Sequence, residues 1–365
     1  MKLPWLASDE KLLIWATSQV KFSFQEPPDS EDFAFINTSY DLQLIDRYDE
    51  FGFPVGNQPI TDREKLAILL SAINSGEQKP AYVIVDIHFV DSTSADSLLY
   101  AQLNQMDNVI LSSHINQEGI FEAPLFNEIN YGLSDYVIGS VFDGVYKYQL
   151  IHGDSLKLLP LKVHELLSNE EVVKRGPFVK IGDRWTTNNF IMNYRILQQD
   201  IINLEAGFNP VSMGELLYLT DEDIQDFVSD KIVVIGDFFE SDMHETIFEI
   251  TAGPLILVNA YLTIMNGDTT INVFFFLLMI VFYAYLSYMV FYDGDFIEKW
   301  IRKFTNGSFA RYFMGFGSYF VILIFFSILC FTYFNVHINI FFVAIAFYLL
   351  DRLVNLVCYA KKKDA

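Results

Sequence analysis

The first 268 residues of this 365-residue chain contain no cysteine. Both cysteines, Cys330 and Cys358, lie near the C-terminus, so no disulfide framework holds the N-terminal part together. Basic residues are scarce there too. Residues 1–268 carry 16 Lys and Arg against 41 Asp and Glu, a net charge of −25. Such a surface repels nucleic acid and anionic lipid, which argues against a nucleic-acid partner. The signatures of common catalytic sites are also missing: there is no HExxH, no CxxC, no P-loop and no GxSxG. Internal repeats and low-complexity linkers are absent as well.

What the chain has in excess is apolar surface. Hydrophobic residues make up 52% and aromatics 16%, both high for a soluble protein, and the excess is concentrated after residue 268. From Thr269 to Tyr292 there are 24 residues without a charge, and a spanning helix needs about 20. A second uncharged run covers Tyr312–Val336. A third begins at Ile338, is interrupted by Asp351-Arg352 and continues through "LVNLVCYA"; it spans if that pair faces a helix neighbour or the headgroups. The sequence thus predicts three membrane helices within residues 269–360, a region whose net charge with the tail is +3. Four basic residues sit in the link Asp293–Arg311, three lysines form the tail 361–365, and none lies around "NVHIN". The positive-inside rule then puts the first link and the tail in the cytoplasm and residues 1–268 outside it. The segment 1–31 is not a signal peptide, since Asp9, Glu10 and Lys11 occupy the place of its apolar core. Two alternatives follow: an N-terminal anchor lies upstream of this chain, the favoured expectation because both basic clusters agree, or the domain is cytosolic and the charge rule fails here.

Residues 32–268 alternate predicted strands and helices. Strands are expected over Asp32–Asp46, Ala81–Phe89, Asn108–Ile115, Asn188–Leu197 and Lys231–Gly236, and "YKYQLIHG" with "LKLLPL" reads as a hairpin. Helices are expected at Asp62–Asn74 with Thr61 as cap, Ala95–Met106, Asp221–Asp230 and Gly253–Gly267. Continuous apolar strands between helices predict an α/β fold, a mostly parallel sheet covered on both faces, followed by an all-α transmembrane region. The last helix would reach the first span through a joint of only Asn266-Gly267-Asp268, with a break at the glycine.

The segments "NTSYD", "VIVDIHF" with Asp96 downstream, "NVILSS", "FIMNYR", "DKIVVIGDFFESDMHET" and "AGPLILVNAYLTIMNGD" follow one another and lead directly into membrane spans. This succession resembles the CHASE type 2 domain, the second class of cyclase/histidine-kinase-associated sensory extracellular domains, over residues 32–270 and the spans beyond. The resemblance implies a bacterial inner-membrane receptor without enzymatic activity of its own. Such proteins usually carry an N-terminal anchor and an output domain after the spans. This sequence departs from that pattern at both ends, with no span before residue 32 and only "AKKKDA" after the third run. The signal would then pass to a separate protein.

The residues most suited to chemistry lie in "VVIGDFFESDMHET", where an apolar strand ends at Gly236 and Asp237, Glu240, Asp242, His244 and Glu245 follow. Loops at the carboxyl ends of parallel strands are where α/β proteins bind ligands. Two Asp-x-His pairs, Asp86/His88 and Asp242/His244, have the residue types of a divalent-metal site, with Glu245 as a base. The alternative is structural: Asp86 accepting backbone hydrogen bonds, and Asp242/His244 forming a local turn and capping network. No third fixed spacing supports a metal, and Ser112 and Ser113 read as ordinary strand-end residues. Ligand-sensing candidates are Asp41, Asp86, Asn193, Arg195, Asp237, Asp242 and His244, with pairing to a nearby Asp the favoured role for Arg195 in so acidic a domain. No residue is assigned to catalysis or to a metal, and no motif calls for a cofactor. The expected partners are the membrane, a protein carrying the output, an unidentified small ligand and, as an open alternative, a second copy of the chain. Two other functions stay open: an accessory or structural subunit of a membrane complex, and a metal-dependent hydrolase built on the two Asp-x-His pairs.

Overall fold

The computed structural model describes residues 5–22, 25–49, 51–116, 118–136, 145–292, 308–338 and 340–363. Its centre is a seven-stranded sheet. The strands lie in the order Val211–Ser212, Phe33–Asn37, Ile232–Gly236, Tyr82–Asp86 and Val109–Ile115, the last flanked by Tyr131–Leu133 and Phe121–Glu122. All of them pair in parallel except Phe121–Glu122. The mixed α/β architecture with a mostly parallel sheet is therefore present.

Side chains on a strand alternate between faces, and the two cores show this directly. Ala34, Ile36, Val83, Val85, Val233 and Ile235 face one layer, where Leu66, Leu70, Leu99, Leu103, Ile224 and Val228 come from helices Arg63–Ser75, Asp96–Leu103 and Asp221–Val228. Phe33, Phe35, Tyr82, Ile84 and Val234 face the other, against Leu159, Val163, Leu255, Val258 and Leu262 of helices Leu159–Ser168 and Gly253–Met265. A sheet buried on both faces explains why its strands read as continuous apolar runs. Residues 253–264 are all buried, so a Leu→Ala change there should cost about 2–5 kcal/mol.

Several local expectations are corrected. The strand expected over Asp32–Asp46 stops at Asn37, because the Asn37 side chain accepts from Ser39 N at 3.2 Å and the chain turns with Asp41 N bonded to Thr38 O at 3.1 Å. Leu42–Tyr48 then pairs antiparallel with Pro54–Thr61 as a separate, largely exposed hairpin. Helix Arg63–Ser75 is capped by Asp62, which accepts from Glu64 N and Lys65 N, and not by Thr61. "LKLLPL" contributes only Leu156–Lys157 to a strand; Pro160 sits in the first turn of the helix Leu159–Ser168. Of the strand expected over Asn188–Leu197, Asn189–Ile191 remains.

One helix among the described residues, Val273–Phe291, is long and apolar enough to cross a membrane. Two more helices, Ser308–Phe334 and Ile340–Lys363, pack with it through Leu286, Val290, Tyr319, Leu323, Ile340 and Ala344. The basic cluster assigned to the first link falls largely in 293–307, outside the described residues. The N-terminal segment holds a helix, Trp5–Phe22, whose Ile14 shares a core with Phe331 and with the α/β domain.

Candidate functional site

The register of the sheet brings its polar strand ends together. Asn37 pairs with Gly236 and Gly236 with Asp86, while Val85 pairs with Leu111 so that Ser112 stands beside Asp86. Ser112 Oγ donates a short hydrogen bond to Asp86 Oδ1. Above this row lie two pockets. The larger, about 400 Å³, is lined in part by Thr38, Arg63, Asp86, His88, His114 and Asp242. The smaller, about 180 Å³, is lined in part by Asp86, His114, Ser134, Tyr136, Tyr148 and Asp242. Asp86, His114 and Asp242 border both pockets.

Asp242 and His244 form a hydrogen-bonded pair, Nε2 to Oδ1 at 2.7 Å, and His244 Nδ1 meets the Tyr136 hydroxyl at 3.1 Å. The hydrogen bond to Asp242, helped by the Asp242 and Asp86 charges, raises the His244 pKa despite burial. The segment around His244 is a short strand, Met243–Glu245, paired with Ile250–Ala252, which leads directly into helix Gly253–Met265. Gly253 lets the carboxylate approach that entry closely: a Cβ there would stand 2.1 Å from Asp242 Oδ2, so one of the two would have to shift. The carboxylate thus rests at a helix N-terminus, where the helix dipole favours negative charge.

Asp86 is set apart by its surroundings. Burial, and then the charge of Asp242, push its pKa up to about 7, against the Ser112 hydrogen bond and the imidazoles of His114 and His244. His114 Nδ1 lies 3.3 Å from Asp135 Oδ1. Burial alone would lower the His114 pKa, but the Asp135 hydrogen bond and the charges of Asp86, Asp135 and Asp242 raise it. The His88 ring packs edge-on against His114 with centroids 4.4 Å apart, and burial followed by the His114 charge lowers its pKa.

The sequence-derived candidates separate into three groups. Asp86, Asp242 and His244 converge on the cleft. Asp237 reaches the larger pocket but is committed to structure: it accepts from Ser39 Oγ, Phe239 N, Glu240 N, Ser241 N and Ser241 Oγ. Burial would raise its pKa, yet these bonds hold it down at about 2. Asp41 is buried outside either lining, accepting from Lys65 Nζ and Gly214 N, both at 2.7 Å. Asn193 and Arg195 lie at the other end of helix Gly253–Met265. Asn193 Nδ2 donates to Asp268 at 2.6 Å, and Arg195 Nη2 contacts both Asp268 oxygens at 2.9 and 3.1 Å. Arg195 also lines a separate pocket of about 360 Å³ with Gln25, Glu26 and Asp32. These three residues are not brought into the cleft.

The two Asp-x-His pairs do not make a metal cage; among the described residues no group of three or more His, Cys, Asp or Glu is arranged to hold an ion. The strand ends at Asp86, and His88 lies beyond it, 3.9 Å from Glu122. Sequence reasoning missed His114, Ser134, Asp135, Tyr136 and Tyr148. For His114 the signal was available, since it alternates with Ser112 at the carboxyl end of an apolar parallel strand. No protein-family model, no characterised protein and no solved structure matches this chain.

Proposed function

We propose that this protein is a membrane-anchored, non-enzymatic sensor whose acidic cleft takes a small ligand and passes the event to the membrane helices and on to a separate output protein. The observation that carries this reading is the placement of one helix. Gly253–Met265 starts against Asp242 in the cleft and ends at the junction with the membrane helix. Thirteen residues at 1.5 Å each connect the two sites over roughly 20 Å. The helix is tied down along its length, Gly253 N donating to Asp242 O at 2.8 Å at its start. Asn259 accepts from Arg195 N and Ile196 N at 2.6 and 3.0 Å, and Thr263 Oγ1 accepts from Asn193 N at 3.0 Å. Asp268 is then clamped by Arg195 and Asn193, and Lys21 of the N-terminal helix reaches Asn193 Oδ1 and Asn335 Oδ1 at 3.3 and 3.1 Å. A rigid helix between a cleft and a polar clamp transmits displacement better than a flexible tether does.

The finer parts of the reading rest on sequence. They are the likeness to the CHASE type 2 domain, three spans in a bacterial inner membrane, and the α/β domain on the extracytoplasmic side. A second reading, an accessory subunit that binds protein, draws on the hairpin Leu42–Thr61. It exposes Leu44, Tyr48, Phe51, Phe53 and Val55. Cross-linking of the full chain in native membranes, followed by mass spectrometry, tests the two. The sensor reading predicts capture of a protein bearing a kinase, cyclase or comparable output domain. Cross-links only to structural subunits of a membrane complex would replace it with the second reading.

A further inference from the structure

Asp86, which borders both pockets, makes no ion pair among the described residues, and His114 and His244 act on it only as neighbouring charges. Asp242 is bound to His244 at 2.7 Å, and Asp135 faces His114 at 3.3 Å. The one hydrogen bond to Asp86 among the described residues comes from the neutral Ser112 hydroxyl. A half-buried carboxylate whose one direct hydrogen bond comes from a neutral hydroxyl gains from an incoming positive charge. A second, independent group points the same way. Ser134, 9% exposed, lines the 180 Å³ pocket, and its hydroxyl has no hydrogen-bond partner among the described residues. Tyr136 and Tyr148 line the same pocket, and aromatic faces attract cations.

The lining also discriminates against other ligands. The guanidinium of the larger pocket, Arg63, is already neutralised by Asp96. Asp91 and Asp237 add negative charge there. The imidazoles that line these pockets, His114 and His244, are already paired with Asp135 and Asp242, so an anion would meet carboxylates and cations that are engaged. A bare metal ion would find no group of three His, Cys, Asp or Glu arranged around it among the described residues. An ammonium group differs because it carries three N–H donors and accepts mixed oxygen partners. Asp86, Asp242 and Ser134 line one pocket, and their carboxylates and hydroxyl are oxygens of this kind.

We infer that the 180 Å³ pocket receives the ammonium group of a small organic amine, with Asp86 as its counter-charge and Ser134 as an added acceptor, and that the body of the same molecule occupies the 400 Å³ pocket. This rests on the sensor reading above and names its ligand class. The test is calorimetric titration of the full chain in phosphatidylcholine nanodiscs with putrescine, ethanolamine and choline, beside sodium acetate, inorganic phosphate and magnesium chloride. A primary amine should bind one per chain, and choline, which lacks N–H donors, more weakly. Ser134→Ala, which removes a hydroxyl with no protein partner, should weaken the amine roughly tenfold, and the near-isosteric Asp86→Asn roughly a hundredfold. Binding confined to acetate, phosphate or magnesium, no saturable binding of any amine, or amine binding unchanged in Asp86→Asn would overturn the assignment. Hydrogen exchange on the same samples separates the two ideas: amine binding that leaves Asp268–Ile271 unaltered keeps the ligand class and refutes transmission to the membrane.

Discussion

Gly253 and Asp86 carry the site at the level of single residues, and each yields a prediction. Gly253→Ala places a methyl 2.1 Å from the Asp242 carboxylate, so either the carboxylate or the helix start must move. The expected cost is about 1–3 kcal/mol by chemical denaturation, the range for overpacking a tight site. A variant as stable as the parent would mean that this approach is not tight. Asp86 contributes a pH dependence of its own. Its folded-state pKa is raised to about 7, so the folded protein holds this proton over a range where the unfolded chain has released it. Stability from this group is present in acid and is lost as pH rises through about 7. The groups facing Asp86, namely Ser112, Asp242, His114 and His244, remain in Asp86→Asn. The melting advantage of Asp86→Asn over the parent should therefore grow from about pH 5 to about pH 8. An advantage that shrinks with rising pH would contradict the burial of this carboxylate. Asp86, Asp242 and His244 were legible because polar residues directly after apolar parallel strands mark the ligand-binding edge. Ser134 and Tyr136 were not, since the strand before them is the three-residue Tyr131–Leu133, too short for a readable apolar run.

Among the elements, the joint between the α/β domain and the apolar helix Val273–Phe291 differs most from its reading in sequence. The expected break is there: Gly267 adopts φ of +65°, the left-handed conformation that ends a helix. Yet the joint does not end at Asp268. Thr269 Oγ1 accepts from Thr186 Oγ1 at 3.0 Å, and Ile271 N donates to Trp185 O at 2.6 Å, so the strap stays on the domain until helix Val273–Tyr292 begins. These contacts come from the three-stranded meander Val172–Thr187, which short polar strands and glycine turns concealed in the sequence. The position of an uncoupling insertion follows. About six Gly/Ser residues placed after Gly267 would tear Asp268 from Arg195, whereas the same insert between Ile271 and Asn272 keeps the clamp and the Asn272 cap on Phe275 N. The insertion after Ile271 should retain the parent melting temperature of the α/β domain and abolish the response of the output partner. A folded insertion variant that still drives its partner would remove this joint from the signalling route.

For the whole molecule, chain order gave the layered α/β core correctly, because continuous apolar strands alternating with helices admit few arrangements. The hairpin Leu42–Thr61 was hidden because its strands are largely exposed and lack a buried alternation to read. Orientation in the membrane rests on charge, not on packing. Impermeant labelling of a cysteine at Ser308, in a chain with Cys330 and Cys358 replaced, should fail in intact spheroplasts, while a cysteine on the exposed hairpin at Phe51 should react. The reverse pattern would place the α/β domain in the cytoplasm. The central claim is that the cleft and the membrane junction are joined by helix Gly253–Met265. Hydrogen exchange on the full chain in nanodiscs, parent against Asp242→Asn, tests it directly. The cleft-to-junction linkage predicts altered protection both at Met243–Ala252 and at Asp268–Ile271, roughly 20 Å apart along the helix. Altered protection confined to Met243–Ala252, with Asp268–Ile271 unchanged, would contradict it.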